Sequence, residues 1–125
     1  MYADEHSMFI FDESGEPLLE TARESGTLTE YPVVADIDND GSAEIVVISN
    51  AILGDSSSPT VQVIRDVEDR WIQARRIWNQ HTYHVTNVQE DGTIPQVEPK
   101  NWEHYNTFRT NIQIENGAVC ETPIV

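Results

Sequence analysis

Residues 31–48 read YPVVADIDNDGSAEIVVI. An apolar run, Tyr31 to Ala35, is followed by an acidic turn, Asp36 to Glu44, and by a second apolar run, Ile45 to Ile48. The second run lacks alternation, and its short length and β-branched content favour a strand covered on both faces over a buried helix. Inside the turn, carboxylates stand at every other position: Asp36, Asp38 and Asp40. Three such charges repel one another unless a cation lies between them. Calcium takes 6–8 oxygen ligands, and loops that hold it supply them from positions 1, 3, 5, 7 and 9. Counted from Asp36, these are Asp36, Asp38, Asp40, the carbonyl of Ser42, and Glu44. Gly41 falls at position 6, where the chain turns sharply. Position 12, where an EF-hand needs a bidentate Glu, is Val47, and the flanks read as strands rather than helices. The expectation is a calcium site, Ca2+, in a β-hairpin.

Outward from this stretch, the reading stays β. Residues 7–11 and 16–20 flank Asp12-Glu13-Ser14-Gly15, a short hairpin loop. Residues 21–30 are polar and read as a loop, as do 51–59, with Gly54, Ser56, Ser57, Ser58 and Pro59. Residues 60–65 alternate, with Val61 and Val63 on one face and Gln62 and Ile64 on the other. Residues 66–69 read as a turn and 70–78 as a longer strand. Four successive strands between residues 31 and 78 follow the rhythm of a propeller blade, whose inner strands are sandwiched between neighbours.

A second, weaker copy lies 51 residues on. His84-Val85-Thr86 stands for the strand, and Asn87-Val88-Gln89-Glu90-Asp91-Gly92 for the turn. Asn87 and Gln89 replace carboxylates, and Pro95 stands where Glu44 does in the first copy. A second cation site is not expected there.

YPVVADIDNDGSAEIVV resembles the FG-GAP/VCBS repeat of integrin-α-type β-propellers. Residues 75–102 (RRIWNQHTYHVTNVQEDGTIPQVEPKNW), with Asn106 to Arg109, resemble the C-terminal end of such propellers in large bacterial surface proteins. The FG and GAP signatures themselves are not visible. The resemblance implies an all-β fold: one four-stranded antiparallel blade with partial flanking blades. Residues 1–30 would be the outer hairpin of a preceding blade, 31–78 the calcium-binding blade, and 79–125 a degenerate repeat and closing segment. It also implies an extracellular or cell-surface adhesive role through protein or glycan contacts. A closed propeller needs roughly 200 residues at this period, so other chains or further blades are expected partners.

The chain has 125 residues, with 22 acidic side chains against 7 basic ones and a formal net charge of −15. That charge disfavours nucleic acid and anionic membrane as partners. No run of eighteen apolar residues would span a membrane, and the first residues lack a signal-peptide pattern. A lone cysteine, Cys120, cannot form an internal disulfide. His81 and His84 lie three apart with no cysteine near, so packing at a blade junction is favoured over zinc. Ser56–Ser58 lacks a nucleophile elbow, no phosphate-binding glycine loop is present, and no enzyme is expected. The alternative is a carbohydrate-binding propeller using Trp71, Trp78 and Trp102, or a carbohydrate-active one with catalytic residues on further blades.

Overall fold

The structure is a computed structural model, and residues 1–27, 29–50, 52, 59–115 and 118–119 are described. The described chain is all-β apart from one short helix and one 3-10 turn. In chain order the elements are β1 (Tyr2–Ala3), β2 (Ser7–Phe11), β3 (Pro17–Ala22), β4 (Val33–Ala35), β5 (Glu44–Ile48), β6 (Val61–Ile64), a 3-10 turn (Val85–Asn87), α1 (Asn101–His104), β7 (Ile114–Glu115) and β8 (Ala118–Val119). Two compact units organise them: Met1–Pro32 with Ile45–Ile64, and Val33–Glu44 with Arg65–Val125. Their boundary runs inside the 31–78 segment that the repeat pattern marks as one blade.

In the first unit, β1, β2 and β3 form an antiparallel sheet in that order. The β2–β3 turn closes on Asp12, whose Oδ1 accepts the Ser14 and Glu16 amides at 2.8 and 2.9 Å. Gly15 sits at φ 87°, which only glycine adopts without strain. Phe9 and Phe11, two apart on one face, stack at 5.4 Å, and Tyr2 lies 6.4 Å from Phe9. β5 and β6 pair antiparallel, with Val46 opposite Val63 and Ile48 opposite Val61. Ile45 and Val47 are buried on one side of that pair, while Ile48, Val61 and Val63 are exposed. The unalternating run is thus covered on one face by the described residues and open on the other.

The polar 23–30 stretch is tied down rather than loose. Asn50 donates its amide to the Glu24 carbonyl at 2.8 Å, and its side chain holds the Gly26 amide and Glu30. Glu30 also accepts the hydroxyls of Ser25 and Thr27. The Ser25, Thr27 and Asn50 hydrogen bonds pull its pKa from 4.5 to about 2. A carboxylate with a lowered folded pKa stabilises the fold above its unfolded value and loses that contribution as pH falls. The first unit is therefore expected to weaken progressively from pH 4.5 toward pH 2. Urea midpoints across that range should show a flatter acid limb in Glu30→Gln, and an unchanged limb would reject the assignment.

In the second unit, residues 72–75 run beside the acidic turn. Ala43 donates to the Ile72 carbonyl at 3.0 Å and Ala74 to the Gly41 carbonyl at 3.3 Å. On their other side, Ile114 donates to the Gln73 carbonyl at 3.0 Å. The strand expected over 70–78 shrinks to single bridges at Gln73 and Ala74. The physical reason is Arg75, which turns from the ladder into a buried hub, only 4% exposed. Its guanidinium reaches Glu90 at 2.6 Å, the Tyr83 hydroxyl at 3.4 Å, and the carbonyls of Val85 and Val88 at 3.1 and 2.8 Å. Tyr83 is fully buried, packs on Trp78 at 4.9 Å, and donates to Asn111 Oδ1 at 3.0 Å. Asn111 in turn donates to the Val34 and Arg75 carbonyls at 2.8 and 2.6 Å. The strand expected at residues 84–86 is likewise replaced, here by the 3-10 turn.

Candidate metal centre

The turn after β4 is built by its own side chains. Gly41, at φ 100°, and Asn39, at φ 65°, take the left-handed conformations that fold it back. A Cβ on Gly41 would meet nothing within 4 Å, so glycine is needed there for its backbone and not for space. Gly41 donates its amide to Asp36 Oδ2 at 3.0 Å, Asp40 to Asp38 Oδ1 at 3.2 Å, and Ser42 to Asp40 Oδ1 at 2.8 Å. The result brings one carboxylate oxygen each of Asp36, Asp38 and Asp40 within 4.8 Å of one another, a group that could hold a metal ion.

Like charges at about 4 Å cost about 1 kcal/mol per pair in water and several times that where partly buried. Asp38 and Asp40 are exposed, but Asp36 is only 7% exposed. Its second oxygen, Oδ1, is buried and has no hydrogen-bond partner. Glu44 is 1% exposed; Oε2 accepts the Ile37 amide at 2.9 Å, while Oε1 is buried without a partner. Burial raises the Glu44 pKa, and the charges of Asp38, Asp40 and Asp36 raise it further. Asp36 Oδ1 and Glu44 Oε1 are thus buried acceptors without a protein partner at a turn where three carboxylates converge, an arrangement that suits a cation.

Of the five residues expected to bind, the structure groups Asp36, Asp38 and Asp40. Glu44 is held beside the turn through Ile37. Ser42 is fixed by its hydroxyl, which donates to the Asp69 carbonyl at 3.1 Å. Two arginines flank the turn and were not singled out in the sequence: Arg65, 3.5 Å from Asp38, and Arg76, 3.3 Å from the Asn39 side chain. Neither has a spacing signal, because both arrive from residues more than twenty positions away.

The other polar motifs are committed elsewhere. In the second, decayed turn, Glu90 is held by Arg75, and Asp91 Oδ1 accepts the Thr93 amide and hydroxyl at 3.0 and 2.6 Å. Those hydrogen bonds lower the Asp91 pKa. His84 contacts Glu98 through Nε2 and the Thr82 carbonyl through Nδ1 at 2.9 Å, and its ring lies 5.5 Å from Phe108. Trp78 packs on Tyr83, whereas Trp102 is exposed. Ser56–Ser58 and Cys120 lie outside the described residues. No helix among the described residues is long and apolar enough to cross a membrane.

No family model matches the chain, and no curated protein matches its sequence. Among solved structures, the crystal structure of the V. cholerae biofilm matrix protein Bap1 superposes with a TM-score of 0.75 at 32% identity. This chain is similar to a segment of a biofilm matrix protein. The match covers 86% of this chain and 19% of that one, so the chain corresponds to under a fifth of the length of that relative.

Proposed function

We propose that the chain is a calcium-binding adhesive segment of an extracellular or cell-surface protein, built as a blade of an FG-GAP/VCBS-type propeller. The observation that carries it is the set of orphaned buried oxygens, Asp36 Oδ1 and Glu44 Oε1, beside the three converging aspartates. Calcium fits the donor set, which is all hard oxygen with no imidazole or thiolate. Asp36, Asp38, Asp40, Glu44 and the Ser42 carbonyl would hold it. An affinity in the weak range of extracellular modules, Kd on the order of 10⁻⁴–10⁻³ M, suits a medium where calcium is abundant.

The adhesive role is supported by the likeness to a biofilm matrix protein. The apolar exposed side of β5 and β6, with Ile48, Val61 and Val63, supports contact with a further sheet, in other chains or in further blades of the same propeller. The ligands of the module are protein or glycan components of a matrix. The test is retention of the purified chain on isolated extracellular matrix. In millimolar calcium the chain should be retained, and EGTA should release it. No retention in calcium, or equal retention in EGTA, rejects the reading.

A further inference from the structure

The acidic turn has two cationic neighbours that no calcium ligand set requires. Basic residues are scarce in this chain, 7 against 22 acidic ones. Arg23 and Arg75 are buried. Arg70 is forked onto Asp66 at 2.7 and 2.9 Å, and Lys100 is on Glu103 at 2.7 Å. Arg65 and Arg76 stand instead at the acidic turn, each reaching it through Nη1.

The two differ in what they touch. Arg76 meets Asn39 Oδ1 at 3.3 Å, and Asn39 occupies position 4 of the loop, which is not a ligand position. Arg65 lies 3.5 Å from Oδ2 of Asp38, at position 3, which is one. Asp38 Oδ1 already accepts the Asp40 amide at 3.2 Å, so both oxygens of this carboxylate are engaged. A cation that takes Oδ2 has to displace the guanidinium. A cation that takes Oδ1 meets a positive charge on the far side of the same carboxylate. Either way, Arg65 and the cation compete for one negative charge.

The competitor can yield, and it cannot go far. Its side chain is 55% exposed and that of Asp38 is 46% exposed, and an exposed pair is worth at most about fivefold in an equilibrium constant. The backbone that carries Arg65 is fastened beside the acidic turn. The Ser42 hydroxyl donates to the Asp69 carbonyl at 3.1 Å, and Asp66 Oδ2 accepts the Arg70 amide at 2.9 Å, closing residues 66–70. All of these residues belong to the second unit. A displaced Arg65 therefore stays within reach of Asp38 at a high effective concentration.

We propose that Arg65 is a tethered competitor for calcium, and that it sets the affinity of the acidic turn low enough for the site to fill and empty with the calcium of the medium. The inference rests on the calcium reading of the turn and assigns the regulation of that site. Arg76 is its internal control, because it brings the same charge to the same turn without engaging a ligand residue.

The test is a ¹H–¹⁵N titration with calcium chloride, following the Gly41 amide, of the native chain, Arg65→Gln and Arg76→Gln. Both substitutions fall on exposed side chains and leave the fold intact. Arg65→Gln should tighten calcium binding by about three- to tenfold, and Arg76→Gln by about twofold or less. An Arg65→Gln affinity within about twofold of native overturns the proposal and leaves the calcium reading standing. So does tightening in Arg76→Gln equal to that in Arg65→Gln, which would mean that net charge alone sets the affinity. A native chain whose Gly41 amide does not respond to calcium up to about 10 mM overturns the calcium reading itself, and the competitor with it.

Discussion

Millimolar calcium should raise the thermal midpoint of the chain, and Asp36→Asn should abolish the rise. The size follows from mass action: about 1 mM calcium over a Kd of about 10⁻⁴ M stabilises the native state by about 1.4 kcal/mol. For a domain of this length, that is a shift of about 5 °C. The cation would also relieve the repulsion among Asp36, Asp38 and Asp40, and would give Asp36 Oδ1 and Glu44 Oε1 the partner they lack. Burial and the charges of Asp38, Asp40 and Asp36 raise the Glu44 pKa. Its folded pKa is raised, so its contribution is present at low pH and is lost as pH rises through that value. The calcium effect should therefore be larger at pH 7 than at pH 5. Asp36→Asn keeps the acceptor of the Gly41 amide and so spares the turn, which separates loss of binding from loss of fold. Scanning calorimetry in calcium and in EGTA reads all of this. A native midpoint that calcium leaves unmoved at both pH values would sink the cation reading.

The acidic turn was legible because its information is local. Alternating carboxylates, a glycine at the sixth position and flanking apolar runs lie within eighteen residues, and the turn folds through hydrogen bonds between near neighbours. The hairpin at Asp12–Gly15 was legible for the same reason, as was the alternation of β6, whereas β5, expected to be covered on both faces, is open on one among the described residues. The 70–78 segment was not. Its composition suits a strand, but Arg75 is pulled inward by acceptors at residues 83, 85, 88 and 90, a tertiary demand that no strand propensity contains. The segment around His84 misled in the same way. Its sequence copies the first strand, yet Asn87 caps the His84 amide at 3.2 Å and fixes a 3-10 turn. Helix α1 gave no periodic signal, since four residues hold barely one turn.

Arg75→Ala should be the most damaging single substitution in the second unit. The guanidinium serves four acceptors at once, and three of them, the Tyr83 hydroxyl and the Val85 and Val88 carbonyls, are given no other donor by the hydrogen bonds described above. Leaving a buried acceptor unpaired costs about 1–3 kcal/mol each, and breaking a buried charged hub costs about 3–5 kcal/mol in total. That is a large part of the roughly 5–15 kcal/mol by which a native domain is stable. The Glu90 ion pair contributes little to this sum, because Glu90 is largely exposed and water replaces its partner. Glu90→Gln should accordingly cost under about 1 kcal/mol, and the contrast between the two variants separates backbone fastening from charge pairing. Arg75→Lys retains a cation but one ammonium cannot span acceptors on three sides, so its loss should fall between the other two. Burial raises the Tyr83 pKa, and the hydroxyl holds Asn111. Removing Arg75 therefore loosens the contacts that Asn111 makes to Val34 and to residue 75 itself. Urea unfolding followed by tryptophan fluorescence, in a background with Trp71 and Trp102 replaced by Phe, makes Trp78, beside the Tyr83 ring, the reporter of the region. A loss below about 1 kcal/mol in Arg75→Ala, or a larger loss in Glu90→Gln than in Arg75→Ala, would show that the hub does not fasten this unit.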